Sequence, residues 1–179
     1  MSIQIFILSN LMENDSYPYL LKKQISEPIP LDKLVGLTES KLYYHFDSLT
    51  KKGLVELVEI IKADHRPDKQ VYRITAKGRE ALPKMIYKVF DTEDEIKDMV
   101  VGLANIKYVD RDKVVDILEK KLQKHIDRRE TFKTYETLMQ VEKNREALAD
   151  FLGGYVTTRA DHNIHWLKEL IISVKEGKI

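Results

Sequence analysis

Residues 37–75 read LTESKLYYHFDSLTKKGLVELVEIIKADHRPDKQVYRIT, and the periodicities in this stretch decide the fold. Leu42, Phe46 and Leu49 recur at spacings of four and three, which lines them along one face of a helix. Glu39, Lys41, Tyr44, His45, Asp47, Ser48 and Lys51 fill the other faces. Lys51-Lys52-Gly53 closes that helix, because cations favour its negative end and glycine adopts the left-handed conformation that stops it. Leu54–Ile61 follows as an apolar strand. Lys62–Lys69 turns about Arg66-Pro67-Asp68, and Gln70–Thr75 alternates as a second strand. A helix followed by such a hairpin is the outline of a winged helix-turn-helix.

The 179 residues leave room for one domain or two small ones. A composition 43% hydrophobic and 33% charged marks a globular, helix-forming chain rather than a disordered one. The net charge of +1 does not by itself point to nucleic acid, so a local basic face must carry that inference. The absence of cysteine excludes disulfides, thiolate metal sites and cysteine nucleophiles, and fits a reducing cytoplasm. The opening MSIQIFILSNLMENDS is apolar but has no basic leader or small-residue cleavage site, so a signal peptide is not expected. No apolar run approaches the ~18 residues of a membrane span. The expectation is a cytoplasmic protein without a membrane partner.

LYYHFDSLTKKGLVE followed by DHRPDKQVYRITAKGREAL resembles the signature of the PadR-type transcriptional regulators. There a helix of pattern Ile/Leu-Tyr-x-x-Leu-x-x-Leu-x-x-x-Gly-Leu-Val leads into a wing, and Pro-x-x-x-x-Tyr-x-x-Thr-x-x-Gly follows. Here the pattern falls on Leu42, Tyr43, Phe46, Leu49, Gly53, Leu54 and Val55, then on Pro67, Tyr72, Thr75 and Gly78. The family's usual Gly-Tyr-Glu/Asp-Leu opening is replaced by Tyr17-Pro18-Tyr19-Leu20, without the acidic residue. Gly153-Gly154 and Trp166-Leu167-Lys168-Glu169 resemble the terminal helix of the longer members. LDKLVGLTESKLYYHF is also similar to the two-helix reading unit of ArsR- and MarR-like regulators, an alternative that changes the family but not the inference of DNA binding.

Along the rest of the chain, Ile3, Ile5, Phe6, Ile7, Leu8, Leu11 and Met12 predict a first helix buried on several sides, by its own domain and by a partner. Ser16 is expected to cap a second helix that begins near Pro18 and runs to Ile25. Glu27–Pro30 reads as an extended connector and Leu31–Gly36 as a short helical turn. Thr75 is the expected cap of a helix from Ala76 to about Val89, which Pro83 kinks or divides. Asp91–Glu95 is expected to open the next helix, and Asp110 to cap a long one. The stripe Val115, Leu118, Leu122, Ile126, Phe132, Tyr135 and Met139 on that long helix calls for a helical partner. A last helix covers Glu146–Lys175. The expected class is mainly α (α+β): a winged helix-turn-helix DNA-binding domain over 1–89, then an α-helical C-terminal dimerisation and effector domain over 90–179.

On the reading helix, Ser40, Lys41, Tyr44, His45 and Lys51 offer hydrogen bonds to base edges and phosphates. On the wing, His65, Arg66 and Lys69 are placed to neutralise phosphate, with Lys62 and Arg73 on its strands. The blander reading is the solvated face of a winged helix that binds protein. His162 and His165 share a helix face but lack the framing of a metal site, so no metal or cofactor is expected. No Gly-x-Ser-x-Gly, phosphate-cradling glycine loop or His-Glu-x-x-His is present, and an enzyme is not expected. The resemblance implies a homodimeric repressor on double-stranded DNA, at a dyad-symmetric operator with half-sites about one turn, ~10 bp, or a multiple apart. It further implies a small-molecule inducer, phenolic or hydrophobic, near the junction of reading domain and tail. Tyr135, Tyr155 and Trp166 are the candidates for an effector or dimer interface, with the interface role favoured because aromatics dominate such contacts.

Overall fold

The computed structural model describes residues 2–26, 39–62, 68–138 and 146–179. The expected turn at 31–36, the tip residues His65 and Arg66, Met139 and the side chain of Tyr135 lie outside the described residues. The chain forms two compact units, Met1–Val89 and Phe90–Ile179. No helix among the described residues is long and apolar enough to cross a membrane.

The first unit is built from α1 (Ser2–Glu13), α2 (Pro18–Ser26), α3 (Glu39–Lys51), β1 (Val55–Ile61), β2 (Lys69–Ile74) and α4 (Ala76–Thr92), the last of which ends in the second unit. Leu42, Phe46 and Leu49 of α3 are fully buried, as their spacing predicts, against a core that includes Ile5, Leu8, Leu11, Leu21, Leu82 and Ile86. Each such side chain contributes about 1.5–3 kcal/mol by leaving water. Phe46 and Tyr72 meet with ring centroids 4.7 Å apart, joining α3 to β2.

Gly53, at φ 69°, ends α3. Its N–H donates to the Thr50 carbonyl at 2.9 Å, and the Leu54 N–H donates to the Leu49 carbonyl at 2.9 Å. This paired reversal satisfies the last carbonyls of a helix and redirects the chain. Thr75 then locks the turn to the next helix. Its hydroxyl donates to the Gly53 carbonyl at 2.8 Å and accepts from the Gly78 N–H at 3.0 Å, so one side chain caps α4 and ties it to the end of α3. Gly78 has to be glycine, because a Cβ there would lie 2.1 Å from the Leu54 carbonyl oxygen.

Several expectations are corrected. Ser16 does not cap α2. Its backbone pairs with Tyr72, N–H to carbonyl at 3.1 Å and carbonyl to N–H at 2.8 Å, adding a single bridge to β2. Its buried hydroxyl has no partner among the described residues. Pro18 does occupy the first position of α2, where its missing N–H costs nothing. The strand expected over Leu54–Ile61 starts at Val55: β1 pairs with β2 from Val55↔Ile74 to Ile61↔Lys69, Leu54 and Val55 are buried, and the rest of β1 is exposed. A bulge at Val58 puts Glu59 opposite Val71, and Leu57, Val58, Ile60 and Ile61 stay exposed on a two-stranded ribbon that no second sheet covers among the described residues. Pro83 does not divide α4, which is continuous over 17 residues with Leu82 and Ile86 buried on either side of the proline.

The second unit holds α5 (Ile96–Leu103), a 3-10 turn (Ile106–Tyr108), α6 (Arg111–Leu138) and α7 (Glu146–Lys175). Asp91 and Thr92 finish α4 rather than open α5. The Asp110 carboxylate caps α6 as expected, accepting from the Asp112 N–H at 2.8 Å and the Lys113 N–H at 3.2 Å. The ion pairs Glu119–Lys175, at 2.7 Å, and Arg129–Asp161 show α6 and α7 running antiparallel, with Val115 and Leu118 of the α6 stripe buried. Lys121, 6% exposed, is satisfied in the interior by donating to the Asp91 carbonyl at 3.0 Å and facing Asp94 at 3.4 Å.

Gly78→Ala is expected to lower stability by about 1–3 kcal/mol through overpacking, read as a fall in the urea midpoint. Gly154→Ala, where a Cβ meets nothing within 4 Å, is the control. In a helix it should be neutral or stabilising by roughly 0.5–1 kcal/mol.

Candidate nucleic-acid interface

The buried face of α3 determines what its other side presents. Ser40, Tyr44, Asp47 and Lys51 follow at steps of four, three and four, forming a stripe opposite Leu42, Phe46 and Leu49. All four are exposed, Tyr44 to 69%. None of them makes a hydrogen bond or ion pair among the described residues. Lys41 is exposed on one shoulder of this stripe and Tyr43 on the other.

His45 lies deeper than its neighbours. It is half-buried, its Nδ1 has no partner among the described residues, and its ring meets the edge of Tyr44 at 5.4 Å. Burial, with Lys52 and Lys41 adding repulsion, holds its pKa below the ordinary imidazole value. It therefore stands beside the stripe as a neutral imidazole at neutral pH. Asp47, absent from the sequence-derived candidates, belongs to the stripe. The seven-residue step from Ser40 was the signal that could have found it.

Of the described wing cations, Lys62 and Lys69 stay exposed while Arg73 is paired within the chain. The Lys69 ammonium sits 5.3 Å over the Tyr17 ring. The Arg73 guanidinium grips Asp15 through Nε at 3.0 Å and Nη2 at 2.6 Å, and the hydrogen bond holds that carboxyl below the usual carboxylate range. At the end of α3, the Lys77 ammonium donates to the Lys52 carbonyl at 2.7 Å. Residues 1–89 carry 14 Lys and Arg against 11 Asp and Glu, whereas residues 90–179 carry 16 against 18. The first unit holds the positive balance.

In the second unit, Tyr155 and Trp166 are exposed on α7, Trp166 to 49%. Trp166 takes His162 and His165 edge-on at 6.3 and 5.2 Å. With Ile96, Lys97 and Arg159 it borders a groove of about 410 Å³. Glu95 holds Lys97 at 2.7 Å and also Arg159, and these bonds keep its carboxyl acidic. No group of three or more potential metal ligands occurs among the described residues.

An outward helix beside a two-stranded ribbon defines the winged-helix class. Residues 7–84 match the model of the transcriptional regulator PadR-like family. Three solved structures similar to the chain are distant ones. Bacillus subtilis PadR in complex with operator DNA is 17% identical, with 97% of this chain and 99% of that one covered at a TM-score of 0.43. Streptococcus mutans UA159 smu.1604c is 18% identical over 94% and 98%, at 0.42. Bacillus subtilis PadR in complex with p-coumaric acid is 16% identical over 98% and 99%, at 0.40. None of the curated proteins matches this chain.

His45 should titrate below the imidazole norm in an NMR pH series. As pH falls through about 6.5, the unfolded chain takes up this proton before the folded one. Stability is thus present above that pH and is lost as pH falls toward the folded value. His125, also lowered by burial, acts with the same sign. His45→Gln should reduce this acid-side loss without abolishing it, measured as urea midpoints across the range.

Proposed function

We propose that the protein is a sequence-specific, DNA-binding transcriptional regulator of the cytoplasm, acting as a homodimer. The observation that carries this reading is the stripe Ser40–Tyr44–Asp47–Lys51, exposed and unengaged beside a wing, in a unit of positive charge balance whose residues 7–84 match the PadR-like family model. In the major groove this stripe presents hydroxyls and charge to base edges, while Lys41 and Lys51 meet phosphates. Lys69, with His65 and Arg66, serves the neighbouring backbone. The reading is not an enzymatic one, since the family is one of transcriptional regulators.

Leu148, Phe151, Leu152 and Tyr155 leave an apolar face on α7 that a second copy would cover. Two-fold pairing places two reading helices on a dyad-symmetric operator. We read the protein as a repressor relieved by a small phenolic or hydrophobic inducer. The groove beside Trp166 supports this, offering an indole face and the apolar side chain of Ile96 next to the Glu95–Lys97–Arg159 ion-pair cluster. Such a ligand would act by favouring the dimer that fits the operator less well.

One observation favours a second reading. Leu57, Val58, Ile60 and Ile61 are exposed beside Glu56 and Glu59, a surface better suited to protein than to phosphate. Binding of the full chain to the DNA upstream of its own gene, across a salt series, separates the two. The regulator should bind selectively, with log affinity falling linearly with log salt. Lys41→Ala and Lys51→Ala should each flatten the slope by about 0.9, and His45→Gln should leave it unchanged. p-Coumaric acid should release the DNA. Weak contact without sequence preference at any salt would favour the protein-binding reading.

A further inference from the structure

The reading stripe carries an acid where a surface built only to grip phosphate would not. Asp47 is exposed at the middle of the stripe, one turn beyond Tyr44 and one turn before Lys51. It forms no ion pair or hydrogen bond among the described residues, Lys51 at the favourable four-residue step included. The nearby phenol is not its donor either, since the Tyr72 hydroxyl donates to Gln70 at 2.8 Å. Its one electrostatic neighbour among the described residues is the Tyr72 hydroxyl, whose pKa it helps to raise after burial, and an anion beside a phenol gives the fold no attractive contact. Placed against a duplex, an unpaired carboxylate is repelled by phosphate and loses its water, so it is tolerated only where a base donor replaces that water.

Resting on the DNA-reading function proposed above, we infer that Asp47 is a specificity residue that accepts a hydrogen bond from the exocyclic amine of a cytosine in the major groove. The groove pattern selects the base. Cytosine presents its N4 amine as a donor, whereas the adenine N6 amine is flanked by the acceptors N7 and, across the pair, thymine O4, which repel a carboxylate. Guanine and thymine present only acceptors there. The stripe then divides its work: Lys51 anchors the helix on the backbone, and Asp47 rejects sites lacking cytosine at one position of each half-site.

The test is selection from a pool of randomised duplexes with the full-length protein, followed by the same selection with Asp47→Ala and Asp47→Asn. Wild type should select a C·G pair at one position of each half-site. Asp47→Ala should lose roughly 5- to 100-fold of discrimination there while neighbouring preferences and the salt slope persist. Asp47→Asn, nearly the same shape, should move the preference toward adenine, whose N6 and N7 suit a side-chain amide. If both variants bind every duplex more tightly with an unchanged selected sequence, Asp47 merely repels phosphate and the inference is overturned. A wild-type protein that selects no sequence overturns the DNA reading itself, a result distinct from failure of Asp47 alone.

Discussion

The hydroxyl of Thr75 is the contact on which the first unit turns. By donating to the Gly53 carbonyl and accepting from the Gly78 N–H, it fastens the end of α3 to the beginning of α4 across the base of the hairpin. The Thr75 N–H bonds the Leu54 carbonyl at 3.1 Å, and Lys77 takes the Lys52 carbonyl. These bonds fix the rotation of α3 about its own axis. That rotation decides which residues are core and which form the outward stripe.

With α3 set by this knot on one end and by burial of Leu42, Phe46 and Leu49 along its length, its free face needs no internal partners. The contrast with neighbouring polar residues is informative. Arg73 is spent on Asp15, Ser48 receives Gln4 at 3.3 Å, and Lys69 rests over Tyr17. Ser40, Asp47 and Lys51 are not spent. They form one row at helical spacing on the side of α3 opposite its buried face.

The second unit follows a different economy. Two long helices run antiparallel, with Leu167, Leu170, Ile171 and Val174 of α7 buried at one end and Leu148, Phe151 and Leu152 exposed at the other. Phe151 is 70% exposed. Burial along the pair is therefore unequal, and the apolar residues left uncovered lie on the same helix as Tyr155 and Trp166.

Local pattern was enough to determine the helix over residues 39–51, its glycine stop, the hairpin, the Asp110 cap and the last helix at Glu146–Lys175, since each is written in spacings of a few residues. The exposure of Ser40, Tyr44 and Lys51 was legible for the same reason: the side opposite a hydrophobic stripe is known once the stripe is. Tertiary structure decided what depends on neighbours distant in sequence. Arg73 looked like a wing cation until folding brought Asp15 beside it, 58 positions away. Ser16 looked like a cap until its backbone met Tyr72, and the apolar pattern of β1 did not record that most of its side chains stay exposed. His45 looked like a surface donor until packing buried one nitrogen. Periodicity tells which way a side chain points, and only the fold tells what it meets there.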